Sequence, residues 1–325
     1  MRNWNKIPGT RERRLLVNRC HLWSVVVIGC FWMNGVCVAQ TEIEIPLYAS
    51  KVPNSIPATQ PEKRTFNAAG QLTALSKVIA PRLIVFRPAA ANGTGIIICP
   101  GGGYRNLNIE NVRFIAQRLN KMGITAFVLT YRLPADSLMV DKSVGAMQDI
   151  QQAFRVVRKM AAEWKLSRIG VWGSSAGGHL AAMAATHWNK AYETGKDTAN
   201  LRPDFAVLAW PVITFNGSDA HKGSVQNLLG SNATEAQIRE FSPEESVDAQ
   251  TPPTFLVHAG DDPTVSFQNS MLFYQALKKQ KVPTELHIYE EKTHGFGINP
   301  EVKHSWMSQL EIWLTNRGLI PSNTH

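Results

Sequence analysis

Residues 168–178, Arg-Ile-Gly-Val-Trp-Gly-Ser-Ser-Ala-Gly-Gly, decide the fold. The apolar run that opens this stretch is typical of a buried strand, and the small-residue stretch Gly177–Thr186 is typical of a helix packed closely behind it. Between the two, residues 173–177 fit the pattern Gly-x-Ser-x-Gly. On a tight strand-to-helix turn this pattern lifts a serine side chain above the edge of a sheet. The sequence therefore predicts that Ser175 is a nucleophile, and a glycine-rich structural turn is the alternative.

Short apolar runs alternate with amphipathic stretches along the rest of the chain. The main predicted strands are Leu83–Arg87, Gly95–Cys99, Thr125–Leu129, Arg168–Trp172, Phe205–Trp210, Thr254–Ala259 and Glu285–Tyr289. The main predicted helices are Asn111–Met122, Ser143–Glu163, Gly177–Thr186, Ser266–Lys279 and His304–Arg317. This alternation, with nearly continuous apolar strand cores, indicates an α/β fold with a mostly parallel sheet covered on both faces.

Two polar segments depart from the alternation. Residues 41–76 contain four prolines and predict a lead-in along the surface. Residues 216–250 predict a small polar insertion with two short helices, Val225–Leu229 and Glu235–Phe241. Neither segment is an interdomain linker, so we predict that residues 40–325 form one domain.

A second glycine-rich segment, Cys-Pro-Gly-Gly-Gly-Tyr at residues 99–104, follows a predicted strand. Three consecutive glycines let backbone N–H groups turn toward one point, where they can stabilise an oxyanion. We therefore predict an oxyanion hole made by the N–H groups of Gly102, Gly103 and Ala176. The alternatives are a plain loop and a phosphate-binding loop, but the sequence has neither a G-x-x-x-x-G-K-[ST] motif nor Rossmann spacing.

Acidic and histidine residues follow the last two predicted strands. Asp261 and Asp262 come just after Thr254–Ala259, and His294 lies in a glycine-flanked loop after Glu285–Tyr289. The chain order Ser, Asp, His differs from the orders found in chymotrypsin and subtilisin. We predict a triad with Asp262 as the acid, because it precedes Pro-Thr-Val at the start of the next helix. Asp261 is the alternative.

The other histidines and the tryptophans receive structural interpretations. His179 lies one turn after Ser175, and we expect it to pack beneath the nucleophile turn. Trp172 and Trp210 are expected in the core or the cleft wall rather than in a sugar-binding platform. No H-E-x-x-H motif or Cys/His cluster is present, so neither a metal nor a cofactor is expected. Four further histidines lack a partner pattern: His187, His221, His258 and His304.

Residues 1–39 are predicted to be a signal peptide that directs the protein to the periplasm or the medium. A basic start precedes the apolar stretch Leu22–Val38, and Ala39 is small enough to precede the cut. One alternative is an uncleaved membrane anchor, which the shortness of the stretch and Asn34 disfavour. A lipoprotein is the other alternative, and the protein would then contact a membrane only through a lipid on Cys30.

Removing this leader changes the charge and the cysteine count. The leader holds six Lys/Arg and one acid, so +5 of the formal net charge of +9 leaves with it and +4 stays. A mildly basic domain without a Lys/Arg cluster gives no reason to expect a nucleic-acid partner. Only Cys99 remains, so no internal disulfide is expected.

From the lead-in to the last helix, the sequence resembles the secreted bacterial esterase branch of the α/β-hydrolases. It is similar there to acetyl xylan esterases and other carbohydrate esterases of the hormone-sensitive-lipase-like group. Lipase-like enzymes usually have His-Gly-Gly-Gly, whereas Pro100 stands in place of that histidine here, as on the carbohydrate-esterase side. The matching pieces are residues 100–104, 131–134, 173–180, 262–265 and 294–296.

The resemblance implies an α/β-hydrolase fold and a serine esterase that removes acetyl groups from plant polysaccharide, although kinship of fold does not fix a substrate. A broad short-chain or lipid carboxylesterase is one alternative. A peptidase of the prolyl-oligopeptidase kind is less expected, because that family carries a large propeller domain. A binding module on an inactive scaffold is also less expected, because binding alone does not require Ser175, Asp262 and His294 together.

Overall fold

The computed structural model describes residues 43–58, 60–193, 195–196, 201–298 and 306–322. The predicted signal peptide lies outside them. Eight strands form a central sheet, in the order β1-β4-β7-β5-β8-β9-β10-β11, and three form a small sheet, in the order β2-β3-β6. Their bounds are β1 Ile43–Pro46, β2 Lys63–Phe66, β3 Leu72–Ser76, β4 Arg82–Phe86, β5 Thr94–Cys99, β6 Leu107–Asn108, β7 Thr125–Thr130, β8 Arg168–Ser174, β9 Ala206–Ala209, β10 Thr254–Ala259 and β11 Thr284–Tyr289.

The central sheet is mostly parallel. β1 pairs antiparallel with β4, and β4 with β7. The pairings from β7 through β5, β8, β9 and β10 to β11 are all parallel. Every residue of β5, β7 and β10 is buried. Because successive side chains of a strand point to opposite faces, this burial requires cover on both faces. The predicted mostly parallel, doubly covered sheet is confirmed.

The helices connect these strands. Their bounds are α1 Ile109–Lys121, α2 Gly145–Lys159, α3 Ala176–Thr186, α4 Lys222–Leu229, α5 Glu235–Glu240, α6 Gln268–Lys279 and α7 Trp306–Asn316, with a 3₁₀ turn at Pro243–Ser246. α2 is shorter than the predicted Ser143–Glu163, because the N–H of Ala161 turns back to the carbonyl of Arg158 at 3.2 Å. His304, where the last helix was predicted to begin, lies outside the described residues. None of the helices in the described ranges is long and apolar enough to cross a membrane.

Buried polar contacts hold the lead-in to the core. β1 joins the central sheet at its edge. Arg132, which is 1% exposed, donates to Asp149 at 2.8 Å, to the carbonyl of Pro53 at 2.5 Å and to the hydroxyl of Ser55 at 3.1 Å. Charge-assisted hydrogen bonds of this kind are about twice as strong as neutral ones. The polar lead-in is therefore part of the domain.

The polar insertion also packs on the core. It contains α4, α5 and the 3₁₀ turn, and its buried side chains Leu228, Phe241 and Val247 belong to the main hydrophobic cluster. α5 has no buried residue and is held at its start by a capping box between Thr234 and Gln237. The insertion is thus anchored at several points rather than attached as a separate unit.

Candidate active site

Ser175 lies on a sharp turn that follows β8 and precedes α3. Its backbone adopts φ 56° and ψ −125°, a sparsely populated region that costs about 1–3 kcal/mol. Three hydrogen bonds hold it there. The N–H of Ser175 donates to the carbonyl of Ala209 at 3.2 Å, and its carbonyl accepts from the N–H groups of His179 at 3.1 Å and Val212 at 3.0 Å. The surrounding elements therefore over-determine the strained turn.

The glycines around Ser175 permit very close packing. A Cβ on Gly173 would lie 2.1 Å from the carbonyl oxygen of Gly177, and one on Gly177 would lie 2.1 Å from that of Cys99. A Cβ on Gly178 would lie 2.7 Å from Pro211. Non-bonded carbon atoms meet at about 3.5–4.0 Å, so no side chain fits at any of these positions. The pattern brings the start of α3 against the end of β5.

The loop after β5 presents two backbone N–H groups at the same edge. The carbonyls of Gly101 and Gly102 accept from N–H groups further along the loop, at 3.0 and 3.1 Å. In a trans peptide the N–H points opposite to the preceding carbonyl. The N–H groups of Gly102 and Gly103 therefore point away from these bonds. Both glycines line the cavity that also contains Ser175.

The backbone N–H of Ala176 also points away from a carbonyl that is already hydrogen-bonded. Because the carbonyl of Ser175 is bound from the side of α3, the N–H of Ala176 points out of the helix start. Within the described residues, none of the three N–H groups of Gly102, Gly103 and Ala176 donates to another group of the protein. Preorganised donors of this kind are what an oxyanion requires.

Asp262 and His294 meet beyond the carboxyl ends of β10 and β11. Nδ1 of His294 lies 2.7 Å from Oδ2 of Asp262. The other carboxylate oxygen accepts from the N–H groups of Thr264 at 2.8 Å and Val265 at 3.0 Å. The Asp262 side chain is fully buried, whereas that of His294 is 21% exposed. An ionised carboxylate only accepts hydrogen bonds, so in the neutral His294 ring the proton is on Nδ1. Nε2 is then the nitrogen that can take up a proton.

Asp262 stays ionised despite its burial. Burial raises its pKa, but hydrogen bonds from His258, His294 and the N–H groups of Val265 and Thr264 together hold the pKa well below its usual range. Hydrogen bonds to the charged form act in this direction. A permanently charged carboxylate at this position stabilises a protonated His294 ring.

His258 contacts Asp262, and the sequence did not predict this contact. It is fully buried in β10, and its Nε2 lies 3.0 Å from the carbonyl of Val265 and 3.5 Å from Oδ2 of Asp262. Its Nδ1 lies 2.7 Å from the hydroxyl of Ser270. The four-residue spacing to Asp262 was the only available signal, and a histidine within an apolar strand does not reveal its partners.

The loop that carries His294 is held by aromatic rings. The ring of Trp210 lies 6.4 Å from that of His294, 5.5 Å from that of Phe296 and 5.8 Å from that of Trp306, centroid to centroid. Trp210 lines the same cavity as Ser175. Trp172 is fully buried, and its ring lies 5.8 Å from that of Trp306. The two tryptophans therefore lie in the cleft wall and in the core, respectively.

A cavity of about 340 Å³ connects these groups. Ser175, His294, Gly102 and Gly103 line it, and Asp262 reaches it through its hydrogen bond to His294. The structure thus brings Ser175, His294, Gly102 and Gly103 to one cavity, with Asp262 behind His294. Ala176, the third predicted oxyanion donor, is not among the lining residues and is placed beside them by its position directly after Ser175. Other polar residues of the lining are Arg105, Asn106, Asn108, Asn111, His221 and Thr264.

A family model described as BD-FAE matches residues 84–277, which include the turn of Ser175 and also Asp262. The chain belongs to the BD-FAE family. The matched region contains the core of the central sheet, and the fold is that of the α/β-hydrolases. The resemblance to carbohydrate esterases of this group is confirmed at the level of the family.

Relatives of this BD-FAE chain include two curated proteins. An acetylxylan esterase of Xylanibacter ruminicola is 33% identical over 242 residues, which are 72% of this chain and 48% of that protein. Endo-1,4-beta-xylanase B of Butyrivibrio fibrisolvens is 32% identical over 216 residues, which are 65% of this chain and 34% of that protein. The chain therefore spans between a third and a half of the length of these relatives.

A solved structure of similar length gives a fuller match. The acetyl ester-xyloside bifunctional hydrolase from Caldicellulosiruptor lactoaceticus superposes with a TM-score of 0.70 at 33% identity. The match covers 86% of this chain and 97% of that one. The BD-FAE chain thus shares nearly the whole of that structure.

The insertion of this BD-FAE chain brings two residues to the site that the sequence reasoning did not identify. His221 begins α4, accepts at Nδ1 from the N–H of Ser224 at 3.2 Å and lines the cavity. Burial and the nearby His294 lower its pKa, while Asp262 raises it. Asn227 donates to the carbonyl of Gly103 at 2.7 Å and so supports the glycine loop. Neither role follows from local sequence, because the place of His221 at the cavity and the contact of Asn227 with Gly103 both depend on how distant segments fold together.

The remaining candidates lie outside the triad. Asp261, the alternative acid, is exposed, and its backbone N–H donates to the carbonyl of Glu291 at 3.0 Å. Cys99 is buried without a disulfide, and burial raises the pKa of its thiol. In the described part of the chain, no three His, Cys, Asp or Glu side chains group in a way that suits a metal ion.

Proposed function

We propose that this BD-FAE domain is a serine carboxylic-ester hydrolase that removes acetyl groups from acylated carbohydrate. One observation carries the proposal. His294 binds Asp262 through Nδ1 at 2.7 Å and lines the same cavity as Ser175, which sits on a strained turn. A base that is oriented by a carboxylate and shares a cavity with a serine hydroxyl is the arrangement that activates a serine.

The first half of the reaction forms an acyl-enzyme. Nε2 of His294 takes the proton of Ser175 as Oγ attacks the ester carbonyl carbon. The carbonyl oxygen becomes an oxyanion that accepts hydrogen bonds from the N–H groups of Gly102, Gly103 and Ala176. The bond between the acyl carbon and the sugar oxygen then breaks, and the sugar oxygen leaves with the proton from His294.

The second half releases acetate. Water enters the space of the leaving sugar and gives a proton to Nε2 of His294 while its oxygen attacks the acyl carbon. The bond to Oγ of Ser175 breaks, and Oγ recovers the proton. Asp262 keeps its charge throughout and stabilises the imidazolium in both halves.

Several features support carbohydrate as the substrate. Asn106, Asn108 and Asn111 are among the residues that line the cavity of about 340 Å³. Asparagine amides can donate to hydroxyl groups and accept from them, and Oδ1 of Asn108 already accepts from the N–H of Asn111 at 3.2 Å. Two similar proteins are named for action on acetylxylan or an acetyl ester-xyloside. These names belong to the relatives, and they support the same reaction class here.

The test is acetate release from acetylated xylo-oligosaccharides. We expect turnover of these substrates and of p-nitrophenyl acetate, and loss of both after treatment with a serine-directed phosphonate that labels Ser175. Ser175→Ala is the matched control and should neither turn over nor be labelled. Labelling without turnover of any ester would contradict the proposal and favour a binding module.

A series of p-nitrophenyl esters tests the alternative of a lipid carboxylesterase. An acyl pocket for long chains gains about 0.8 kcal/mol per buried CH₂, so kcat/KM would rise with chain length. We expect a maximum at acetate or propionate, with octanoate about tenfold lower, or about 1.4 kcal/mol. Activity that climbs through octanoate would replace carbohydrate by lipid as the substrate.

We also propose that the protein acts in the periplasm or outside the cell, as the basic and apolar character of residues 1–39 favours. N-terminal sequencing of the protein from its native host should begin near Gln40. A sequence that starts at Met1 would contradict this, and a lipid on Cys30 would favour the lipoprotein.

A further inference from the structure

A second cavity lies beside the catalytic one. It has a volume of about 370 Å³ and is lined by Tyr104 and Arg105 of the glycine loop and by Asn227 of the insertion. Arg105 also lines the catalytic cavity, so the two cavities adjoin at this residue. A ligand that is long enough to reach from Ser175 past Arg105 would enter the second cavity.

The lining of the second cavity suits a sugar. Leu133, Pro134 and Leu138 contribute apolar surface, against which the C–H face of a sugar ring can pack. Asn227 uses its amide N–H to hold Gly103 at 2.7 Å, which leaves its amide oxygen to accept from a hydroxyl. Apolar walls with a few placed polar groups are typical of small-molecule sites.

The charge of this cavity is positive. Lys77 and Arg105 line it, and no Asp or Glu is among its described lining residues. Carboxylates close to the lining in sequence are paired elsewhere. Glu62 binds Arg82 at 3.1 Å, and Asp136 binds Lys142 at 2.8 Å. Among the described residues, the hydrogen-bond partner of the Lys77 side chain is the neutral amide of Gln60. In the described part of the chain, two cations thus line this cavity and no carboxylate lines it with them.

We propose that the second cavity binds a carboxylate-bearing sugar, a uronic acid, that is part of the acylated oligosaccharide. This inference rests on the proposed function, because the ester must sit at Ser175 for the acidic sugar to reach Lys77 and Arg105. Opposite charges in a partly enclosed cleft attract more strongly than on an open surface. The enzyme therefore prefers acidic acetylated oligosaccharides over neutral ones of the same length.

The experiment compares two acetylated xylo-oligosaccharides of equal length, one with a uronic acid branch and one without. Its readout is the ratio of kcat/KM for the acidic substrate to that for the neutral one, taken within each enzyme variant so that a general loss of activity cancels. For the wild type we expect a ratio of about ten at low salt, typical of one or two charge-assisted contacts. Raising NaCl to 0.5 M should bring the ratio toward one, because salt screens exposed charges.

Variants at Lys77 assign the effect to this cavity. Lys77→Gln should lower the ratio to about three, and Lys77→Glu should bring it to about one or below, because charge reversal repels the carboxylate. Lys121→Glu is the matched control. Lys121 is an exposed lysine at the end of α1 and is not among the residues of either cavity, so its variant changes the net charge equally and should keep the wild-type ratio.

The outcomes separate this inference from the proposed function. If acetate is released equally from both substrates by the wild type at every salt concentration, the second cavity does not select a uronic acid and the esterase proposal stands. If Lys121→Glu lowers the ratio as much as Lys77→Glu does, the preference comes from net charge and this cavity has no role. If no acetate is released from either substrate, both proposals fail. Should the Lys77 variants not fold, Arg105→Gln, at the other cation of this cavity, takes their place and should lower the ratio in the same way.

Discussion

His179 and His294 are both neighbours of the turn at Ser175, and they have opposite environments. His179 is fully buried, with Nδ1 2.7 Å from the hydroxyl of Tyr104 and Nε2 2.7 Å from the carbonyl of Phe241. Its ring also stacks on Phe215 at 4.3 Å. Among the described residues, the hydrogen-bond partner of His294 is Asp262, bound at Nδ1, and the His294 side chain is 21% exposed at the cavity.

The difference shows what a general base requires besides proximity. Both nitrogens of His179 already have partners, and protonation would place a charge in the core. Burial therefore lowers the pKa of His179 to about 4, even though the bond to the Phe241 carbonyl raises it. His294 has a nitrogen that can accept a proton and a carboxylate that stabilises the resulting charge. The histidine nearer to Ser175 in sequence is thus a structural residue.

The strongest test of this comparison replaces each histidine. His294→Ala should lower kcat by about 10⁴- to 10⁶-fold, as Ser175→Ala should, because serine and base act as a unit. His179→Gln should lower kcat less than about tenfold, since its amide can still donate to Phe241 and accept from Tyr104. Steady-state kinetics on p-nitrophenyl acetate measures both. A larger loss for His179→Gln than for His294→Ala would reverse the assignment.

The acid that orients His294 gives the next largest effect. Asp262→Asn should lower kcat by about 10⁴-fold, because the imidazolium loses its stabilising charge and the ring its tautomer. Asp261→Asn is the matched control, and we expect less than a threefold change in kcat because this side chain is exposed. Kinetics on folded variants, checked by circular dichroism, compares them. If Asp261→Asn caused the greater loss, the triad acid would be Asp261.

The sequence allowed prediction of those parts of the site that are contiguous. The turn at Ser175 and the glycine loop each lie within a few residues, because close packing there demands glycine at fixed spacings. Asn227 and the position of His221 at the cavity were not predicted, since they depend on segments that lie far apart in the sequence. His258 lies only four residues before Asp262, but a histidine within an apolar strand does not reveal which groups its ring will contact.

The same limit applies to the fold. The strands of the apolar sheet core were predicted to within one or two residues for β5, β7 and β10, because complete burial leaves a continuous apolar run. The three lead-in strands β1, β2 and β3 were missed, although Leu72 and Leu75 of β3 are buried. Every residue of β2 is exposed, so it carries no hydrophobic periodicity, and β1 is a short strand at the sheet edge.

A third test uses the pH dependence of stability. The pKa of His179 is about 4 in the folded protein, below the ordinary value of 6.5. Between these values the unfolded chain binds more protons, so the stability from a neutral His179 is present above pH 6.5 and is lost as the pH falls toward 4. The loss should be about 3 kcal/mol.

Urea unfolding at pH 7.5 and pH 4 measures this loss. His179→Gln cannot titrate, so its free energy of unfolding should fall by about 3 kcal/mol less than that of the wild type over the same interval. Carboxylates titrate in both proteins and cancel in the comparison. Equal pH dependence in the two proteins would mean that His179 is not held neutral by burial.

The smallest expected effect concerns His258, whose two nitrogens are bound like those of His179 but which also reaches Asp262 at 3.5 Å. We infer that it positions the carboxylate. His258→Leu should lower kcat about tenfold, equivalent to one hydrogen bond of about 1.4 kcal/mol, and leave KM unchanged. His258→Gln, whose amide still donates, should recover part of the loss. The rate is expressed per Ser175 titrated by a phosphonate, so that a smaller amount of folded enzyme does not lower the measured kcat. A merely structural residue would lower the number of titrated sites and leave kcat per site at the wild-type value, and that result would remove His258 from the positioning of Asp262.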